Sequence, residues 1–294
     1  MAAAKPSYKR HAGDKKVFKR IITGILLAIT AIGLILWGVI PLAVFILILA
    51  LIGINEFIDL AMKHKIRPSR TMAVFGVVVL IGFSCWGKEE YMTPLVIGIA
   101  LITMLFYIFR KGLHVSSFMD VSVDIMGIVY LGWFFCFMIF MRKLNIPDTQ
   151  GFFRFFGMKI DQGAGFVLIL VFSTALSDTG AYFIGKFLGR HKLCPNISPG
   201  KTIEGSIGGI LGALAGAFFV GLQLPLAVTD IVTIGLLCGI FAQLGDIWES
   251  ILKRDVRAKD SGSILAGHGG VLDRIDSYLF TIPIVYYYIK YFML

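Results

Sequence analysis

An all-α polytopic membrane protein of about nine transmembrane helices, N-terminus cytoplasmic and C-terminus outside, is the fold class the sequence predicts. Three observations carry that prediction. Of 294 residues, 57% are hydrophobic and only 16% charged, with 25 Phe and a mean hydropathy of +0.83, so polar side chains are too few to cover a water-soluble fold. Apolar runs of about 17 to 22 residues recur, the length that crosses a hydrocarbon core roughly 30 Å thick. Finally, 22 of the 28 Lys and Arg fall before the first run, in alternate segments after it or, for Arg274, in the first turn of the last run, which the positive-inside rule places on the cytoplasmic side.

The first run, residues 21–37, follows a basic segment, residues 1–20. The stretch "KKVFKRIITGILLAITAIGLILWG" has the basic and apolar regions of a signal peptide, but no small-residue cleavage site precedes the next run, so it reads as an uncleaved first span. The second run, 40–54, is short, and "NEFIDLAMKHKIRPSR" after it reads as an amphipathic helix leading into a basic loop. Spans three to five cover residues 71–87, 92–109 and 122–141, bounded by Gly, Pro and charge clusters. The outside loop "RKLNIPDTQGFFRFFGMKIDQG" is aromatic and mixed in charge, as an interfacial segment is. Spans six to nine follow at 165–185, 204–222, 229–248 and 271–292. The chain thus divides into the basic segment, an N-terminal membrane region over 21–160 and a C-terminal region over 161–294, the candidate catalytic part. Its two densely polar loops, after spans six and eight, land on the cytoplasmic side.

The formal net charge of +10 belongs, in a membrane protein, to loops against anionic lipid heads rather than to a nucleic-acid surface. Cys85, Cys136, Cys194 and Cys238 are widely spaced with no CxxC pair, which argues against a disulfide framework or a zinc site and for small packing residues.

Ionisable groups within or beside membrane spans are costly and default to functional candidates. Three clusters qualify. In "SDTGAYFIGKFLGRHKLCPNISPGKTIEG", Asp178 lies inside an apolar run and requires a partner or a water-filled cavity. Further on, Ser198, Pro199, Gly200, Lys201 and Thr202, followed by a helix start at Glu204, resemble a phosphate cradle. This is no Walker A loop, because Pro195 stands where that pattern needs Gly. In "GDIWESILKR", Asp246 and Glu249 share a helix face, with Ser250, Lys253 and Arg254 after them. In "GHGGVLDRID", Gly267, Gly269 and Gly270 surround His268, and Asp273 and Asp276 share the first turns of span nine with Arg274 between them.

Taken alone, each cluster has a plain structural reading: a basic turn, a cytoplasmic anchor, a helix N-terminus favouring acids. Together they gather carboxylates Asp178, Asp246, Asp273 and Asp276 and cations Lys201, Lys253, Arg254, Lys259 and Arg274 on one side of the membrane. Oxygen ligands suit Mg²⁺ bound through one or two carboxylates plus substrate phosphates, and Lys and Arg suit polyphosphate oxygens. The combination points to phosphoryl or nucleotidyl transfer at the membrane face. A transporter would spread its acids through the midplane, whereas these cluster at one face.

The stretch "SILKRDVRAKDSGSILAGHGGVLDRID" resembles the signature of the CTP:phosphatidate cytidylyltransferases, also called CDP-diacylglycerol synthases: S-x-x-K-R, four residues, K-D, then H-G-G-x-x-D-R-x-D. Every fixed position is present from Ser250 to Asp276. "SDTGAYFIGKFLGRHKL", "SPGKTIEG" and "GDIWES" are similar to the same family, so the likeness covers about residues 170–280 closely.

The resemblance implies a multi-span, homodimeric enzyme of the cell (inner) membrane with its active site facing the cytoplasm. It implies the substrates CTP and phosphatidate, the products CDP-diacylglycerol and pyrophosphate, and no nucleic-acid partner. Its metal-binding acids map onto Asp246 and Asp273, with Mg²⁺ the expected cation and a second cation allowed in the same site. Lys253, Arg254, Lys201, Lys259 and Arg274 are then expected to clamp phosphates, with Ser198, Thr202 and His268 hydrogen-bonding them. Pro199, Gly200, Glu204, Ser250, Gly269 and Gly270 fall in the same binding segments, while Asp178, Asp260 and Asp276 orient the cations. The alternative enzyme reading is a CTP-dependent polyprenol or lipid kinase, which differs in the phosphate it transfers.

Overall fold

The computed structural model describes residues 28–110, 117–146, 152–258, 261–262 and 269–294, with Gly24 and Leu26. The described residues are mainly helical. They form α1 (Ala28–Trp37), α2 (Val39–Lys63), α3 (Arg70–Trp86), α4 (Glu89–Phe109), α5 (Phe118–Lys143), α6 (Gln162–Leu188), α7 (Ile203–Gly221), α8 (Val228–Asp255) and α9 (Leu272–Tyr288), the last ending in a π turn, Ile289–Met293. Six of these, α2 and α4 to α8, are long and apolar enough to cross a membrane. Helices α1 and α3 are apolar but shorter, and α9 spans 17 residues before its π turn.

Two departures from the sequence expectation have physical causes. The short second span and its amphipathic continuation are one 25-residue helix, α2. No Gly or Pro interrupts "INEFIDLAMK", and the carboxylate of Glu56 is buried rather than solvated. The fold is also not purely helical. Strand β1 (Phe152–Phe155) pairs antiparallel with β2 (Met158–Asp161), and β3 (Lys192–Cys194) with β4 (Ser198–Thr202). The first hairpin lies in the expected interfacial loop and turns at Phe156 and Gly157, both with positive φ. The second contains "SPGKT", so the expected cradle is a strand that runs directly into α7.

Helix α7 packs between α6 and α8, and α9 lies against α8. In α7 the run "GSIGGILGALAG" presents small residues to α6: a Cβ at Gly212 would stand 2.2 Å from the Leu176 carbonyl oxygen. Lipid tails supply no hydrophobic drive for helix association, so such close backbone approach replaces it with van der Waals contact. Gly245 does the same between α8 and α9, where a Cβ would meet the Asp276 carbonyl oxygen at 2.4 Å. That contact sets Asp246 beside the start of α9.

Polar contacts gather at the two ends of the bundle, as antiparallel succession of helices requires. At one end Arg142 donates to the Ile35 carbonyl at 2.8 Å and to Asp161 at 2.7 Å, Lys143 to the Ser84 carbonyl at 2.6 Å, and Glu89 receives Tyr286 at 2.5 Å and Lys290. At the other, Asp120 and Asp124 accept the backbone N–H groups of Arg67 and Ser69 at 2.7 and 2.9 Å, and α2 joins α3 through Asp59 and Arg70 at 2.5 Å. The three sequence clusters share this second end.

Candidate active site

Lys201 leaves β4 and reaches α8, its Nζ 2.9 Å from Oδ2 of Asp246. The next residue, Thr202, caps α7: its Oγ1 accepts the Gly205 N–H at 3.1 Å, so the cap fixes where the lysine points. Arg254, at the end of α8, donates from Nε to the Ile197 carbonyl at 3.0 Å and draws the hairpin over the helix. Glu204 faces the other way. It accepts the N–H groups of Arg190 and His191 at 3.0 and 3.2 Å and pairs with His191 Nδ1 at 2.6 Å, so here it staples the hairpin to α7. Lys192 donates to the Pro199 carbonyl at 2.7 Å, while Gly200 has open space where a Cβ would be.

The second half of the site joins α8 to α9. Lys253 is paired with Glu249 one turn earlier, and its Nζ lies 2.8 Å from Oδ1 of Asp273. Asp273 also accepts the N–H groups of Gly270 at 2.8 Å and Ser261 at 3.2 Å, both to Oδ2. Gly269 adopts φ +83, a left-handed conformation that glycine takes without a Cβ clash. Asp276 is buried on the next turn, its Oδ1 accepting the Ser277 N–H at 2.8 Å, and the Ser277 hydroxyl donates to Asp178 at 3.1 Å. Asp246 and Lys201 lie within electrostatic reach of Asp178, as does Arg274, and Asp246 within reach of Asp276. Ser250 is buried on α8 one turn before Arg254. The expected site residues Lys259, Asp260 and His268 lie outside the described residues.

Two acids enter the site that the sequence expectation left out of it. Glu249 is 1% exposed and pairs with Lys253 at i, i+4. Its signal was its place three residues after Asp246 in the same short stretch. Glu56 comes from α2, in the half of the chain where no site residue was expected. Its Oε1 accepts the Val271 N–H at 3.1 Å and its Oε2 the Leu272 N–H at 2.9 Å and the Ser261 hydroxyl at 3.3 Å. A buried anion thus sits on the N-terminus of α9, where unpaired N–H groups and the helix dipole favour it. A carboxylate within an apolar run was the available signal, obscured by ending span two at residue 54.

Residues 18–292 match the family model described as "Cytidylyltransferase family". The chain is 35% identical over 281 residues to a phosphatidate cytidylyltransferase of Bacillus subtilis (strain 168), covering 93% of this chain and 98% of that one. It is 34% identical over 273 residues to the protein of that name from Staphylococcus haemolyticus (strain JCSC1435), covering 90% and 96%, and 33% identical over 272 residues to that of Staphylococcus aureus (strain COL), with the same coverage.

The chain belongs to the cytidylyltransferase family.

In this cytidylyltransferase-family protein, two lysines are each held by carboxylates at the mouth of the helix bundle. A lysine so held is a fixed positive charge, and fixed charges aimed at phosphate oxygens need no reorganisation when a substrate arrives. The acids crowd as well as the cations. Asp178, Asp246 and Asp276 act on one another electrostatically, and Asp246 is 44% exposed with one oxygen on Lys201. That donor chemistry fits a hard divalent cation, which relieves repulsion among carboxylates and takes oxygen ligands. Among the described residues no group of three or more His, Cys, Asp and Glu is close enough to hold a metal alone, so any such ion would complete its shell with substrate phosphates and water.

Proposed function

We propose that the protein is a phosphatidate cytidylyltransferase: it condenses CTP with phosphatidate to give CDP-diacylglycerol and pyrophosphate. One observation carries the reading from the chain itself. The pairs Lys201–Asp246 and Lys253–Asp273 bring three separated sequence clusters into one charged site at the end of a membrane bundle, where a lipid headgroup and a water-soluble nucleotide can meet. The three relatives above carry that activity in their names.

In the proposed reaction a phosphatidate phosphate oxygen attacks the α-phosphorus of CTP. A P–O bond forms there as the α–β phosphoanhydride bond breaks, and pyrophosphate leaves with the electron pair. The attacking oxygen is already anionic, so no side chain need deprotonate it. The protein's task is to hold two polyanions together: Lys201, Lys253, Arg254 and Arg274 neutralise phosphate oxygens, with Lys259 assigned to the same work and His268 to hydrogen-bonding those oxygens. Ser198 and Thr202 border the hairpin side. Asp246 and Asp273 are the proposed Mg²⁺ ligands, and the ion, when bound, supplies charge neutralisation between the reacting anions. Asp178 and Asp276 orient the cations around it.

The proposal extends to placement. Helices α1, α3 and α9 cross the membrane with the six longer ones, N-terminus in the cytoplasm, and the site faces the cytoplasm of the cell membrane as a homodimer. The asymmetry of Lys and Arg supports the orientation.

The test is purified protein with phosphatidate, Mg²⁺ and CTP radiolabelled at either the α- or the γ-phosphate. Cytidylyl transfer puts the α label into lipid and the γ label into pyrophosphate. A γ label in the lipid would make the protein a kinase.

A further inference from the structure

Helix α2 reaches the charged end of the bundle beside α9. Gly53, three residues before Glu56, has no side chain where Leu131 and Ile275 pack: a Cβ there would meet Leu131 Cδ2 at 3.1 Å and Ile275 Cδ1 at 3.3 Å. This close approach sets Glu56 against the loop before α9, where it is 3% exposed. The loop is shaped to receive it. A Cβ at Gly262 would collide with Oε1 of Glu56, and one at Gly270 would stand 2.5 Å from its Oε2. Both glycines lie inside the stretch from Ser250 to Asp276, so a residue from the other half of the chain restricts what can stand there.

Glu56 and Asp273 divide one set of donors. Of three consecutive amides at the start of α9, Asp273 Oδ2 accepts the Gly270 N–H at 2.8 Å, while Glu56 accepts the Val271 N–H at 3.1 Å and the Leu272 N–H at 2.9 Å. Ser261 is shared in the same way: its N–H goes to Asp273 at 3.2 Å and its hydroxyl to Glu56 at 3.3 Å. With Oδ2 so engaged, Oδ1 of Asp273 faces Lys253 at 2.8 Å. Among the described residues the partners of Glu56 are neutral donors, so no ion pair accounts for its burial. Buried N–H groups without an acceptor are costly. With Glu56 gone, those of Val271 and Leu272 would draw on the carboxylate that already holds the adjoining amide, and turn Asp273 away from Lys253.

We infer that Glu56 is a positioning residue for the reaction: by occupying the Val271 and Leu272 amides it keeps Asp273 turned into the site, where that carboxylate can take a divalent cation. The inference rests on the nucleotidyl-transfer reading above and deepens it, because it makes the metal affinity of the site depend on α2. Removing a group that orients a metal ligand typically costs about 10- to 100-fold in metal affinity. A helix cap that served stability alone would leave that affinity unmoved.

The test separates metal affinity from stability, on the full-length protein in detergent. Mn²⁺ binding is read by electron paramagnetic resonance with CTP present and no lipid, so that nothing turns over. Glu56→Ala should weaken that binding about tenfold, and Glu56→Gln, which retains one acceptor oxygen, about threefold. Glu89→Ala is the control: it removes a largely buried carboxylate at the opposite end of the bundle, the partner of Tyr286 and Lys290, and should leave Mn²⁺ affinity where it was. In the rate assay, excess Mg²⁺ should recover most of the rate that Glu56→Ala loses, since metal binding pulls Asp273 back by mass action. Unaltered Mn²⁺ affinity in a Glu56→Ala protein with a lowered thermal midpoint would make Glu56 a structural cap and overturn the inference. So would an equal loss of affinity in Glu89→Ala, a rate that excess Mg²⁺ does not recover, or a wild type that holds no Mn²⁺ with CTP. Should Glu56→Ala not fold, Glu56→Gln decides by the same measurements. If the wild type forms no CDP-lipid, the functional reading fails, and the Mn²⁺ series still decides the role of Glu56.

Discussion

Lys253 Nζ stands 2.8 Å from Asp273 Oδ1, and this contact ties the last turn of α8 to the first turn of α9. Glu249 holds the same ammonium from the opposite side. The lysine is thereby held by two carboxylates, and Asp273 is held in turn by two backbone N–H groups at the base of the loop. Removing Lys253 leaves two largely buried carboxylates without their shared counterion, and removing Asp273 leaves the lysine with Glu249 alone.

Asp273→Asn should therefore lower kcat/KM by about a hundredfold or more, and Lys253→Ala by a similar factor. Both variants should remain folded in detergent, since the loop retains Glu56. Initial rates of CDP-diacylglycerol formation with size-exclusion profiles check both halves. Full activity in Asp273→Asn would remove it from the site.

Lys201 and Asp246 join the hairpin to α8 at 2.9 Å. Because they act as a unit, Lys201→Ala and Asp246→Asn should be non-additive: the double variant should lose little beyond the worse single one. The expected coupling is about 1 to 3 kcal/mol in transition-state terms. Additive losses in a double-mutant cycle would mean that the two side chains serve separate steps.

Glu56 predicts an effect on activity from outside the recognised sequence signature. Glu56→Ala strips acceptors from Val271 N–H, Leu272 N–H and the Ser261 hydroxyl, each in a buried setting. Unpaired buried donors cost about 1 to 3 kcal/mol each, so the thermal midpoint should fall by several degrees and activity with it. Glu56→Gln keeps one acceptor oxygen and should fall between wild type and Ala. Thermal unfolding in detergent, run beside the rate assay, orders the three proteins.

Gly212 tests the packing that carries the hairpin. Its missing Cβ leaves room for the Leu176 carbonyl oxygen, which a side chain would meet at 2.2 Å. Gly212→Leu should separate α6 from α7 and destabilise the protein. Gly200→Ala, where a Cβ meets nothing within 4 Å, should be neutral to stability. Yield and thermal midpoint of the two variants make the comparison.

Much of the site was legible because its residues sit in short, polar, glycine-bearing segments of an otherwise apolar chain. Lys201, Asp246, Lys253, Asp273 and Asp178 announce themselves by the cost of placing charge beside a membrane span, and they meet. Glu204 looked like part of the same pocket because it follows "SPGKT" in sequence, but a strand-to-helix junction turns it back onto His191. No spacing argument foresees that turn, because it depends on β3 pairing with β4.

The sequence by itself determined that this is a helical membrane protein, which of its segments are polar enough to do chemistry, and which family signature they carry. These are local properties, set by hydropathy over a span length and by fixed spacing along one chain. Tertiary structure decided the partners. It brought Glu56 from α2 onto the start of α9 and gave Lys201 and Lys253 their carboxylates. Those relations follow from which helix faces pack together, and small residues such as Gly245 and Gly212 permit that packing at distances no linear pattern records.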